Sequence, residues 1–230
     1  INAQQVGLGV RVGAIDTIMT AGGLQSTNRD LDFAVEGTGF FIVSQDANAT
    51  VQLYTRDGAF YRDYEGNLVN ASGYRVLGHM ADEGTGDFLV PNDAPPLPLS
   101  IQNSRTLASG DVVSLETFSI DAGGNIIGVY SDGETYNIGR LMLAKFENAE
   151  GLEKMGNSNY RASRNSGEVQ EGLANAQGFG LVRSGVVEMS NVDLANEFTD
   201  LIITSRSYQA NSRTITTSDE MIQELLNLKR

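Results

Sequence analysis

The sequence predicts a mainly β protein, a body of short antiparallel strands followed by one long C-terminal α-helix. Three observations predict it. Turn signals built on Gly, Asn and Asp recur every ten residues or so through the first 189 residues, with short apolar runs between them. The last stretch, Ser190–Arg230, holds no Gly and no Pro. That same stretch carries its apolar residues at steps of three, four or seven, the spacing of a single helix face.

Taken in order, residues 6–20 alternate apolar with small or polar side chains and read as extended strand. Gly7, Gly9 and Gly13 lack the spacing of a dinucleotide loop, and no helix follows them. Residues 31–43 are the densest apolar run of the body, and Gly37-Thr38-Gly39 divides it into two strands, 31–36 and 40–43. Asp57-Gly58 reads as a hairpin turn, and Glu65-Gly66-Asn67 as a second. Strands at 68–70 and 74–77 complete a meander. Residues 80–117 contain all four prolines and read as a loop-rich outer excursion with at most short strands. Gly123-Gly124-Asn125 and Asp132-Gly133 then join strands around 118–121, 126–130 and 136–146. Residues 151–185, rich in Gly, Asn and Ser, read as irregular chain pinned by Tyr160, Val169, Phe179 and Val182. The domain layout expected is thus a body from 1–79 with 118–188, the excursion 80–117, and the helix 189–230.

In the helix, Leu194, Phe198, Leu201, Tyr208, Ile215, Ile222 and Leu226 form a heptad stripe with breaks at Ser205, Ser212 and Asp219. Ser190 or Asn191 is positioned to cap it, Asp193 to meet its positive end, and Lys229 and Arg230 its negative end. A helix of about forty residues is about 60 Å long, and a one-sided stripe of that length needs a partner. Two readings serve: helix folded back on its own domain, in one piece or two, or an end that packs against other helices in an assembly.

Composition narrows the function. Cysteine is absent, which removes disulfides, thiolate metal sites and a Cys nucleophile. The net charge is −13. Ser190–Arg230 holds six acids and four bases, a net −2, leaving −11 on the body. An acidic body argues against nucleic acid and against an anionic membrane surface. No apolar run approaches the ~20 residues of a membrane span, and no signal peptide is recognisable. His79, the one imidazole, lies in no triad or zinc pattern and is expected to be exposed or satisfied. Asp57 and Asp63 sit at turn positions, where the carboxylate serves the backbone, and neither Asp63-Tyr-Glu-Gly-Asn67 nor Asp121-Ala-Gly-Gly-Asn125 has the later Glu of a calcium loop. No catalytic residue, metal ligand or cofactor site is expected, and the chain does not read as an enzyme.

Several stretches together resemble the bacterial flagellar axial proteins, the hook and rod family. They are Val6-Gly-Leu-Gly-Val-Arg-Val, Leu31-Asp-Phe-Ala-Val-Glu-Gly-Thr-Gly-Phe-Phe-Ile-Val, Tyr54-Thr-Arg-Asp-Gly-Ala-Phe, Gly66-Asn-Leu-Val-Asn, Phe118-Ser-Ile-Asp and Leu143-Ala-Lys-Phe-Glu-Asn. The strongest are Glu188-Met-Ser-Asn-Val-Asp-Leu, Glu197-Phe-Thr-Asp-Leu-Ile and Tyr208-Gln-Ala-Asn-Ser-Arg-Thr-Ile-Thr-Thr-Ser-Asp-Glu-Met. The final Ile222-Gln-Glu-Leu-Leu-Asn-Leu-Lys-Arg is hook-like. The resemblance, nearest to short hook proteins, implies a subunit exported without a cleaved signal and joined to copies of itself in a torque-bearing helical tube. It implies an extracellular place in the hook or basal body, with rod, hook-cap and hook-filament junction proteins as neighbours. It also implies an N-terminal partner helix, which this sequence does not contain. A distal rod subunit is the alternative within the family, and a secreted β-rich binding protein the alternative outside it.

Overall fold

The computed structural model describes residues 9, 11–13, 15, 17–82, 85–88, 94–107, 109–176 and 178–228. The chain divides into two compact units, Ile1–Met189 and Ser190–Arg230. In chain order the first unit forms β1 (Leu24–Ser26), β2 (Phe33–Glu36), β3 (Phe40–Ser44), β4 (Gln52–Thr55), β5 (Phe60–Arg62) and β6 (Leu68–Asn70). It continues with β7 (Arg75–Met80), β8 (Leu97–Pro98), β9 (Ser104–Thr106), β10 (Val112–Ile120), β11 (Asn125–Tyr130) and β12 (Thr135–Lys145). After a 3-10 turn at Ala149–Gly151 come β13 (Glu153–Gly156), β14 (Asn159–Arg161), β15 (Gln170–Leu173), β16 (Leu181–Ser184) and β17 (Val186–Glu188). The second unit is a single helix, α1 (Leu194–Leu228). The fold is therefore β-rich with one long C-terminal helix.

Among the described residues, thirteen strands join one sheet whose main path runs β13-β14-β4-β3-β7-β12-β11-β10-β9, and every pairing in it is antiparallel. Its centre is buried on both faces. Along β3, Phe41 and Val43 enter one apolar cluster while Phe40 and Ile42 enter another. Along β12, Leu141 and Leu143 alternate in the same way with Met142 and Ala144. On β7, Val76 and Leu77 point to opposite clusters. Because side chains alternate across a strand, a strand covered on both sides must be apolar at every position. That is why residues 40–43 read as a continuous run. Gly78 permits the β7–β12 pairing at this point, since a Cβ there would lie 2.2 Å from the Arg140 carbonyl oxygen.

Four expectations are corrected. Among the described residues of 6–20, none lies in a strand, and the first strand is β1; the remainder of that stretch, including Val6, Gly7, Val10 and Asp16, lies outside the described residues. Alternation is a weak signal where no neighbouring strand supplies hydrogen bonds. Asp57-Gly58 is not a hairpin turn. β4 pairs with β3 and β14, whereas β5 pairs with β6, so the chain crosses between partners here. Gly58 allows the crossing. The Phe33 N–H donates to its carbonyl at 2.9 Å, and a Cβ on it would lie 1.7 Å from the Phe33 carbonyl oxygen. Residues 151–185 are more regular than expected, holding β13 to β16, with Val182 in the core and the other three pins packed against it. These strands are only three or four residues long and too polar to carry a period. Finally, β10 begins at Val112, upstream of the 118 start read from sequence.

The turns at Glu65-Gly66-Asn67, Gly123-Gly124-Asn125 and Asp132-Gly133 do close hairpins, joining β5–β6, β10–β11 and β11–β12. The first two share one mechanism. Asp63 Oδ1 accepts the N–H of Glu65 and Asn67, and the Asn67 amide donates to Oδ2. Asp121 repeats this with the N–H of Gly123 and Asn125 and the Asn125 amide.

Candidate functional site

α1 starts at its cap. The Ala195 N–H donates to Asp193 Oδ1 at 2.9 Å, and the Asn196 amide donates to Oδ2 at 2.9 Å. Asp193 is thus the N-cap, rather than Ser190 or Asn191, and its charge also faces the positive end of the helix. The expected role of Lys229 and Arg230 falls outside the described residues. The helix is continuous for 35 residues, about 53 Å, which removes the two-piece reading. Its hydroxyl-rich stretch is satisfied internally: Ser212, Thr214, Thr217 and Ser218 donate to carbonyls one turn back.

All seven residues of the expected stripe lie on α1. Leu194, Phe198, Leu201, Tyr208, Ile215, Ile222 and Leu226 are each between 55% and 75% exposed, and no described residue of the helix is buried. An exposed apolar face of this length is the kind of surface that gains its stability from packing against a partner. Sequence reasoning missed part of the apolar surface. Ile203, Met221, Leu225 and Leu228 are also exposed and, at about 100° per residue, fall near the side opposite Leu194. The signal was present in the last two turns, where apolar residues encircle the helix.

A second feature, also missed, lies in the first unit. Arg56 Nε donates to Glu188 Oε2 at 2.8 Å, and its Nη atoms donate to the carbonyls of Val35, Gly37 and Gly39, each at 3.1 Å. Glu188 Oε1 accepts the Gly22 N–H at 2.9 Å. One guanidinium therefore ties the β2–β3 connection to β17, the strand that precedes α1. A planar group with five donors suits this task, and an ammonium does not.

The residues weighed for chemistry serve structure. His79 is buried in β7 with Nε2 2.9 Å from the Ala94 carbonyl oxygen, so of the two expected states the exposed one is excluded. Asp57 accepts the Ala59 N–H. Burial raises the pKa of Asp63, but hydrogen bonds from Asn67 and the Glu65 N–H, with Arg75 nearby, outweigh it and hold the carboxyl below its ordinary value. A depressed pKa contributes stability above about pH 4 that fades as pH falls below it. Asp63→Asn should therefore blunt the acid loss of stability in a pH series of unfolding curves while leaving assembly intact. His79→Ala should cost the body about 1–3 kcal/mol through the space and hydrogen bond it removes, visible in urea unfolding, and should not remove assembly.

An acidic β-rich unit followed by a long helix with an exposed apolar stripe defines the class, β-rich subunits that carry a long amphipathic helix. Comparison with known proteins gives the class its family. Residues 34–134 match the D1 domain of flagellar hook proteins FlgE/F/G, and residues 183–228 match the C-terminal domain of flagellar basal body rod FlgEFG proteins. The chain is 40% identical over 231 residues to the flagellar basal-body rod protein FlgG of Bacillus subtilis, covering 100% of this chain and 76% of that protein. It is 29% identical over 382 residues to the flagellar hook protein FlgE of Borreliella burgdorferi, covering 99% and 86%. It is 49% identical over 116 residues to the flagellar hook protein FlgE of Treponema pallidum, covering 50% and 25%. The chain belongs to the flagellar hook and rod family. It is a structural subunit of the flagellar axis and not an enzyme.

Proposed function

We propose that this chain is a subunit of the flagellar hook, assembling head-to-tail with copies of itself into a helical tube that transmits torque. The exposed seam of α1 carries this reading. A heterologous contact whose rotation does not close produces a helical assembly, and a long apolar stripe supplies such a contact. The hook assignment draws support from the Treponema hook protein, 49% identical over half of this chain, against 40% over the whole of it for the Bacillus rod protein. The reading extends to passage out of the cell without a cleaved signal and to rod, hook-cap and hook-filament junction proteins as neighbours. No described helix is long and apolar enough to cross a membrane. Within residues 80–117, Leu99 and Ile101 are fully buried in the core of the body and β8, β9 and the start of β10 lie in its sheet, so an outer excursion would be confined to the remaining residues.

A distal rod subunit is the second reading, favoured by the alignment with the Bacillus rod protein, which spans 231 positions for a chain of 230. Deleting the gene in its flagellated host and imaging basal bodies by electron cryotomography separates the two. A complete rod without a hook supports the hook reading. A truncated rod supports the second, and intact flagella would refute both.

A further inference from the structure

The charges of α1 are arranged in two columns that fit each other only across copies. Arg206 and Arg213 are seven residues apart, and so are Asp193 and Asp200. At about 100° per residue the two pairs fall on opposite flanks of the apolar seam, each about 120° round from it. All four side chains are exposed, and none has an ion-pair partner among the described residues. Within one chain, Asp200 and Arg213 are 13 residues apart, about 20 Å along a straight helix, and cannot meet.

We propose that neighbouring copies in the assembly pack their α1 helices side by side and parallel, displaced by 13 residues, or about 20 Å, so that Arg206 and Arg213 of one copy face Asp193 and Asp200 of the next. The occupant of each flank is thus a second copy of this chain, and the inference rests on the self-assembly reading above. The displacement is selective. At 13 residues both cation–carboxylate pairs form together, Glu220 meets Ser207, and Asn227 meets Thr214, with no like charges opposed. At 20 residues, one heptad further, Glu220 would oppose Asp200; at 6 residues only Arg206 finds a carboxylate, Asp200. Exposed ion pairs contribute little affinity singly. Their effect, as in coiled-coil flanks, is to choose one register and exclude others.

The test is a charge swap on Asp200 and Arg213, because Asp193 also caps the helix. Full-length subunits carrying Asp200→Arg, Arg213→Asp or both are assembled at low ionic strength and examined by sedimentation and electron microscopy, with circular dichroism to confirm helix content. Either single reversal should lose the tubes, and the double swap should restore them. Since the two positions cannot meet within a chain, restoration reports a contact between copies. Tubes that ignore single reversals, or a double swap that stays unassembled, would overturn the inference alone. If unsubstituted subunits formed no tubes, the self-assembly reading itself would fall, and this inference with it.

Discussion

Leu201→Asp should leave the β body folded and abolish the proposed tube. Leu201 is 63% exposed in the isolated subunit, so a carboxylate there costs little before assembly. In the seam it must lose its water against apolar neighbours, and the contact it replaces is lost as well. The combined penalty is about 2–5 kcal/mol for each such contact. Ile215, two heptads on and 66% exposed, should behave alike. Gln209→Glu is the better off-stripe control. Asn196 donates to the capping Asp193, so an acid at that position would disturb the cap, whereas Gln209 accepts from Arg206 and Glu keeps that acceptor, so the change should stay within about ±0.5 kcal/mol. Sedimentation of assembled protein, beside urea unfolding of the body, measures both halves of this expectation. Leu201→Asp tubes in wild-type yield would show that α1 is not the assembly element.

Arg56→Ala has the second largest expected effect, on the body instead of the assembly. The Arg56 and Glu188 side chains are 18% and 11% exposed. Truncating Arg56 leaves a largely buried carboxylate with only the Gly22 N–H as donor and removes the Arg56 donors from three carbonyl oxygens. Breaking one side of a buried pair costs about 3–5 kcal/mol, and partial exposure of this one lowers the expectation to about 2–4 kcal/mol. Arg56→Lys should recover only a fraction, because a compact ammonium cannot reach four acceptors. Urea midpoints of the three proteins decide it, and an Arg56→Ala midpoint close to wild type would contradict the bond network described.

How much of this could be read beforehand depends on the range of the interaction. The helix and the placement of the apolar stripe along it were legible because both follow from spacing within a few turns. So were the turns held by Asp63 and Asp121, where one carboxylate binds groups two and four residues on. The cap was misplaced by two or three residues, since Ser190, Asn191 and Asp193 are all capping types and only geometry chooses among them. Asp57-Gly58 misled because a local turn signal carries no information about which strand comes next. What it marks is a crossing, imposed by the close approach of Gly58 to Phe33. The burial of His79 follows from its place in β7 between β12 and β8, which no neighbour in sequence announces. The Arg56–Glu188 bond spans 132 residues, and neither residue is unusual in its own surroundings.

The measurement closest to the central claim is the accessibility of the seam before and after assembly. The chain has no cysteine, so a single thiol placed by Leu201→Cys or Ile215→Cys reports on its own position. In dissociated subunits both thiols should react freely with a water-soluble maleimide. In assembled tubes both should be protected, and denaturing the tubes should return full labelling. Thiols at 201 and 215 that label in intact tubes as fast as in free subunits would contradict the account.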